Sequence, residues 1–98
     1  MRIRWTIWKD QFAEKIQLKH GVCIEEVEDI LKSKAHFRKA AKGQVRGEDV
    51  YAAYGQTTVG RYIIVLFIFK RPDGALPISA RDMSHSEKRY YEKKRQKN

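Results

Sequence analysis

Lys19 and His20 stand together in the stretch KHGV, Arg81 stands where ALPISARD gives way to SHSEKRYYEKK, and Tyr90 and Tyr91 follow it. These side chains suit phosphate chemistry. Arginine offers a bidentate donor fork to a phosphate, lysine a point charge, and histidine a ring that titrates near neutrality. Cleaving RNA needs no more, because the ribose 2′-hydroxyl is an internal nucleophile; the protein must position the phosphate, move protons and stabilise charge on the phosphorane oxygens. His20 has a second reading, as the end of a helix stabilised by its dipole, and the residues alone favour that reading.

The other reactive groups are less informative. His20, His36 and His85 fall on three separate elements without zinc-ligand spacing, so no metal site is expected. The glycines sit at turns and form no phosphate loop. Cys23, at a helix start, reads as a small capping residue, although a helix dipole can lower a thiol pKa there.

Two segments concentrate positive charge. Residues 32–46 carry Lys32, Lys34, Arg38, Lys39, Lys42 and Arg46 without an acidic residue, and the last helix carries Lys88, Arg89, Lys93, Lys94, Arg95 and Lys97 against Glu87 and Glu92. Solvated surface is the ordinary reading of such runs. The tyrosine pair argues for more: one ring can pack inward while the other stacks a base. The residues alone therefore support nucleic-acid binding and leave catalysis open.

Elements must hold these groups in place. RIRWTIW alternates Ile3, Trp5 and Ile7 with polar residues, the period of a strand with one apolar face. Asp10 to His20 reads as a helix closed by Gly21, and CIEEVEDILK as a second with Ile24, Val27, Ile30 and Leu31 on one stripe and Glu28 four residues before Lys32. The basic segment 32–46 reads as a loop. EDVYAAYGQT, RYIIVLFIFK and ALPIS then form an antiparallel meander, the middle strand apolar on both faces and Pro77 marking an edge or a bulge. SHSE has capping-box spacing and starts the last helix near His85. The expected class is α+β: an antiparallel sheet of about four strands, with the helices on one face.

The 98 residues suit one domain spanning 1–98. Twenty-one Lys and Arg against twelve Asp and Glu give a formal charge of +9, which favours anionic partners. One cysteine excludes an internal disulfide, and no apolar run resembles a membrane span or a signal peptide. The expected location is the cytoplasm.

KHGV followed by IEEVEDIL, then YGQTTVGRYIIVLF, then ISARDMSHSEKRYYE, in that order and spacing, resembles the BrnT-type toxins of bacterial type II toxin–antitoxin systems, which are similar to the RelE group of small ribonucleases. The resemblance implies a RelE-like fold, metal-independent endoribonuclease activity without a cofactor, and growth arrest. It also implies an RNA substrate and a neighbouring DNA-binding antitoxin. It carries over to Lys19, His20, Arg61 and Arg81, and more weakly to Glu87 and Tyr91. Lys9, Lys15 and Cys23 depart from the pattern: many relatives have an acidic residue where Lys9 stands, and others have histidine where Lys15 stands, which leaves proton transfer between Lys15 and His20. The expected catalytic set is Lys15, His20, Arg61, Arg81 and Tyr91, with Arg61 and Arg81 on one rim of the sheet. The expected RNA-binding set is Lys19, Arg38, Lys42, Arg46, Lys88 and Arg89. A module of the same fold that only binds RNA or an antitoxin is the alternative.

Overall fold

Helix boundaries follow from local chemistry. In the computed structural model, which describes residues 1–41 and 47–96, the order is β1 (Trp5–Thr6), α1 (Asp10–His20), α2 (Ile24–Lys32), β2 (His36–Ala41), β3 (Val50–Gln56), β4 (Tyr62–Lys70), β5 (Gly74–Asp82) and α3 (His85–Gln96). Gly21 adopts φ 62°, a left-handed conformation that closes α1 and lets its amide donate to the Gln17 carbonyl. The Ser84 amide donates to Glu87 Oε1 at 2.8 Å and the Glu87 amide to Ser84 Oγ at 3.3 Å, the capping box expected before α3.

The five strands form one sheet in the order β1-β5-β4-β3-β2. The three consecutive strands β3, β4 and β5 are antiparallel neighbours, as expected. The register between β4 and β5 shifts after Leu66↔Ser79 to Phe67↔Pro77, so Pro77 lies at a bulge where its missing N–H is tolerated.

Two expectations need correction at the sheet edges. The basic segment is not all loop: His36–Ala41 pairs antiparallel with β3, the ladder supplying what apolar content does not. Lys42 and Arg46 lie outside the described residues. At the other edge, β1 is two residues long and runs parallel to β5, so the sheet is mixed. Ile3 is buried, but Trp5 and Ile7 are exposed, so the three do not share one buried face. Thr6 and Trp8 turn toward α2 instead, donating to Glu28 Oε2 at 2.8 and 2.9 Å; these bonds, with a smaller attraction from Lys32, hold the Glu28 carboxyl below its usual range.

Strand alternation divides the core in two. Ala53, Ile63, Val65, Phe67 and Ala80 face one side with Ile16 of α1 and Val27, Ile30 and Leu31 of α2. Ala52, Tyr54 and Ile64 face the other, with Tyr91 of α3. The helices therefore cover both faces, because β3 and β4 are apolar on both and each face needs a cover. At Gly55 α2 approaches the sheet closely: a Cβ there would sit 2.8 Å from Ile30 Cδ1. Ile30 is fully buried and cannot swing away. Gly55→Ala is expected to destabilise the fold by about 1–3 kcal/mol, read as a lower denaturation midpoint at an unchanged m-value.

Candidate functional site

Arg61 and Arg81 sit at the same end of the sheet but on opposite faces, which corrects the single rim expected from sequence. Asp82 pairs with Ile63 across the ladder and Arg81 with Ile64, and Ile63 and Ile64 belong to the two different cores. Alternation sends consecutive side chains to opposite sides.

On the α1–α2 side, Arg61 is a clasp. Its Nε donates to Asp82 Oδ1 at 2.7 Å, its Nη1 to the Gly21 carbonyl at 3.0 Å and to Glu26 Oε1 at 3.1 Å, and its Nη2 to Asp82 Oδ2 at 3.3 Å. One guanidinium thus ties the end of α1, the start of α2 and the end of β5. The Asp82 bond, against the cost of burial, raises the Arg61 pKa, and Arg61 in turn holds the Asp82 carboxyl below its usual range. A phosphate would have to displace these partners. The Cys23 amide donates to Glu26 Oε1 at 3.1 Å. The Glu26 amide would lower the Cys23 pKa, but burial and the carboxylates of Glu26 and Glu25 outweigh it and the thiol is raised, the opposite of an activated nucleophile. Lys15 and Lys19 are exposed on α1, and His20 is half-buried at its end, beside the Arg61 clasp. All three belong to the helix layer across the sheet from α3.

The α3 side gathers a different set. Cross-strand partners His36↔Tyr54, Tyr54↔Ile64 and Ile64↔Arg81 form one row across four strands, so these four side chains share a face. At one end of the row, Arg81 Nη1 and Nη2 donate to Glu87 Oε1 and Oε2 at 2.7 and 2.9 Å, a bidentate fork that also anchors the start of α3. At the other end, His36 Nε2 lies 2.9 Å from Tyr90 Oη, and the Tyr54 and Tyr90 ring centroids are 5.1 Å apart. Arg38 and Lys94 stand over the Tyr90 ring at 5.1 and 5.5 Å and make no ion pair among the described residues. Burial, then Lys94 and Arg38, push the His36 pKa below its ordinary value, which favours the neutral imidazole.

Lys88 also lies over a tyrosine, Tyr62 at 5.2 Å, and Arg89 is exposed on α3. Of the tyrosine pair, Tyr91 is the one packed inward, 4% exposed, whereas Tyr90 is half-buried and faces the cations. A cleft of about 680 Å³ opens between the start of β2 and α3, lined in part by Ser33, Lys34, His36, Gln56, Tyr91 and Arg95. Sequence reasoning missed His36 and Tyr54. Their signal was the two-residue alternation of HFRK and YAAY, which shows a common face only once the β2–β3 pairing is known.

The fork is a source of acid sensitivity. The Arg81 bond, against burial and with help from the Ser84 amide, lowers the Glu87 pKa from 4.5 to about 2. A depressed carboxyl contributes stability above its unfolded pKa and loses it as pH falls through the folded one. Because Arg81 is well exposed, the contribution is about 1–2 kcal/mol after screening. Unfolding free energy is expected to drop by that amount between pH 4.5 and 2, and Glu87→Gln to remove this part of the acid dependence.

No curated protein matches this chain. Among solved structures, the crystal structure of the Brucella abortus ribonuclease toxin, BrnT, matches with a TM-score of 0.60 at 20% sequence identity, covering 83% of this chain and 97% of that one. The two share a fold, which in the described residues of this chain is an α+β arrangement of three helices and a five-strand sheet. The family model described as "Ribonuclease toxin, BrnT, of type II toxin-antitoxin system" matches residues 8–87, a span from the residue after Ile7 to the Glu87 partner of Arg81. The chain belongs to the BrnT family of ribonuclease toxins of type II toxin–antitoxin systems.

Proposed function

We propose that this chain is an endoribonuclease that arrests growth by cutting RNA in the cytoplasm, and that it works without a metal ion by directing the ribose 2′-hydroxyl onto the adjacent phosphate. The observation that carries the reading is the α3-side face, where Arg81 shares a row with Tyr54 and His36 beneath Tyr90, Arg38 and Lys94. Arg81 is assigned to the phosphate, which takes the place of the Glu87 carboxylate in its fork. Arg38, Lys88 and Arg89 are assigned to the RNA backbone, where neutralising phosphates releases counterions. Tyr91 supports Tyr90 from within the core.

Arginine, histidine and tyrosine suit this chemistry, because they can hold a phosphate and move protons. Family membership supports an RNA substrate and a cognate antitoxin; the proposal adds that this antitoxin is encoded beside the toxin, covers it and binds DNA. With Lys15 and His20 across the sheet from Arg81, proton transfer is sought on the α3 side.

The test is cleavage by the purified protein in excess chelator, with the ends of the products identified. The expected upstream fragment ends in a 2′,3′-cyclic or 3′-phosphate. Ends bearing a 3′-hydroxyl, or activity that chelation abolishes, would establish a metal route instead. No cleavage under any condition, translating ribosomes included, would overturn the nuclease reading.

A further inference from the structure

We infer that His36 is the catalytic residue that accepts the proton of the 2′-hydroxyl, and that the cleft it lines receives the ribonucleoside bearing that hydroxyl. The inference rests on the nuclease reading above and adds to it a proton acceptor and a substrate subsite.

Position is the first support. A base must reach the substrate and be held in one orientation. His36 lies on β2, paired in the ladder to Tyr54, and its Nε2 is fixed 2.9 Å from Tyr90 Oη while its ring packs near those of Tyr54 and Tyr90 at 6.0 and 5.4 Å. Three elements thus hold one imidazole.

The cleft is the second. At about 680 Å³ it falls within the roughly 300–1,000 Å³ typical of small-ligand sites. Its wall combines the His36 ring and the small exposed edge of Tyr91 with Lys34, the Glu92-paired Arg95 and Ser33, a lining for a flat base on a charged sugar–phosphate. Gln56 is held in one orientation, its Oε1 accepting from Arg95 at 2.7 Å and its Nε2 donating to the Gly60 carbonyl at 3.1 Å.

Charge is the third. The groups facing the imidazole are Arg38 on β2, Tyr54 on β3, and Tyr90 and Lys94 on α3, with Lys34 and Arg95 at the cleft, Arg95 being paired with Glu92. Burial first, and then these cations, favour the neutral ring, the form able to accept a proton. In the step itself the 2′-oxygen bonds to phosphorus as its proton passes to His36. The bond from phosphorus to the 5′-oxygen breaks with its electron pair on that oxygen, which takes a proton from solvent. His36 then returns its proton to solvent.

The experiment measures cleavage of a short RNA by the full chain, its His36→Gln variant and its Tyr90→Phe variant, each over pH 4–8, with RNA affinity and the NMR titration of His36 recorded alongside. In the parent, activity is expected to rise with pH along a limb below about 6.5 that coincides with the His36 titration. In His36→Gln the rate is expected to fall by about 10²–10⁴-fold at nearly unchanged affinity, and the limb to vanish. In Tyr90→Phe the limb and the His36 titration are expected to move together. A parent that cleaves while His36→Gln keeps its rate, or while the limb in Tyr90→Phe stays put as the His36 titration moves, overturns this assignment and leaves the nuclease reading standing. A parent that cleaves nothing overturns both.

Discussion

An RNA with hydrogen in place of the 2′-hydroxyl at the cut position is expected to bind and to remain whole. The proposed route has no other nucleophile, and an intramolecular one is worth an effective concentration of about 10⁵–10⁸ M, so the rate should fall by at least about 10⁵-fold. Affinity should change little. Phosphate contacts supply most of the binding energy of a basic protein, and the substitution leaves every phosphate in place. A gel-shift titration beside a cleavage time course separates the two quantities. Tight binding with no product supports attack by the 2′-hydroxyl, whereas cleavage at the modified position shows that water or another group attacks. Lost binding would instead mean that the face reads the 2′-hydroxyl itself, as a protein distinguishing RNA from DNA can.

Where the sequence speaks through local chemistry it is legible. Gly21, Ser84 and Glu87 mark helix ends through backbone conformation and capping, and α1 and α3 begin and end accordingly. The central strand is legible because RYIIVLFIFK is apolar at both phases, and only a strand covered on two sides uses such a run. The same observation implies helices on both faces, an inference that the apparent meander obscured.

β2 was hidden for the opposite reason. In HFRKAA only Phe37 among the larger side chains is apolar, so the strand is stabilised by its ladder to β3 and by contacts from α3 that lie far away in sequence. Its misreading as loop had a consequence for the site. With no strand there, His36 had no face, and His20, which does have a well-defined helix, took its place as the candidate proton carrier. The arginines show the same limit. Spacing put Arg61 and Arg81 at one end of the hairpin, but only the register, Ile63↔Asp82 and Ile64↔Arg81, shows that one residue of difference places them on opposite sides.

That separation predicts two unlike failures. Arg81→Ala should keep the fold and lose cleavage: a charge-assisted phosphate contact made in the transition state is worth about 2–4 kcal/mol, or about thirty-fold to a thousand-fold in rate. The loss of its pair with Glu87 costs stability as well, and Glu87→Gln provides the control, since it breaks the same pair while leaving the arginine free for RNA. Arg61→Ala should do the reverse. Its guanidinium joins α1, α2 and β5, and removing it leaves Glu26, Asp82 and the Gly21 carbonyl without that donor, a loss of about 2–3 kcal/mol once the exposure of Asp82 is allowed for. Denaturant unfolding and cleavage rates, measured on all three variants at a temperature where each is folded, test the division. If folded Arg61→Ala loses as much activity as Arg81→Ala, the clasp is part of the reaction centre and RNA reaches both sides of the sheet end. If folded Arg81→Ala cleaves like the parent, its fork serves only to anchor α3.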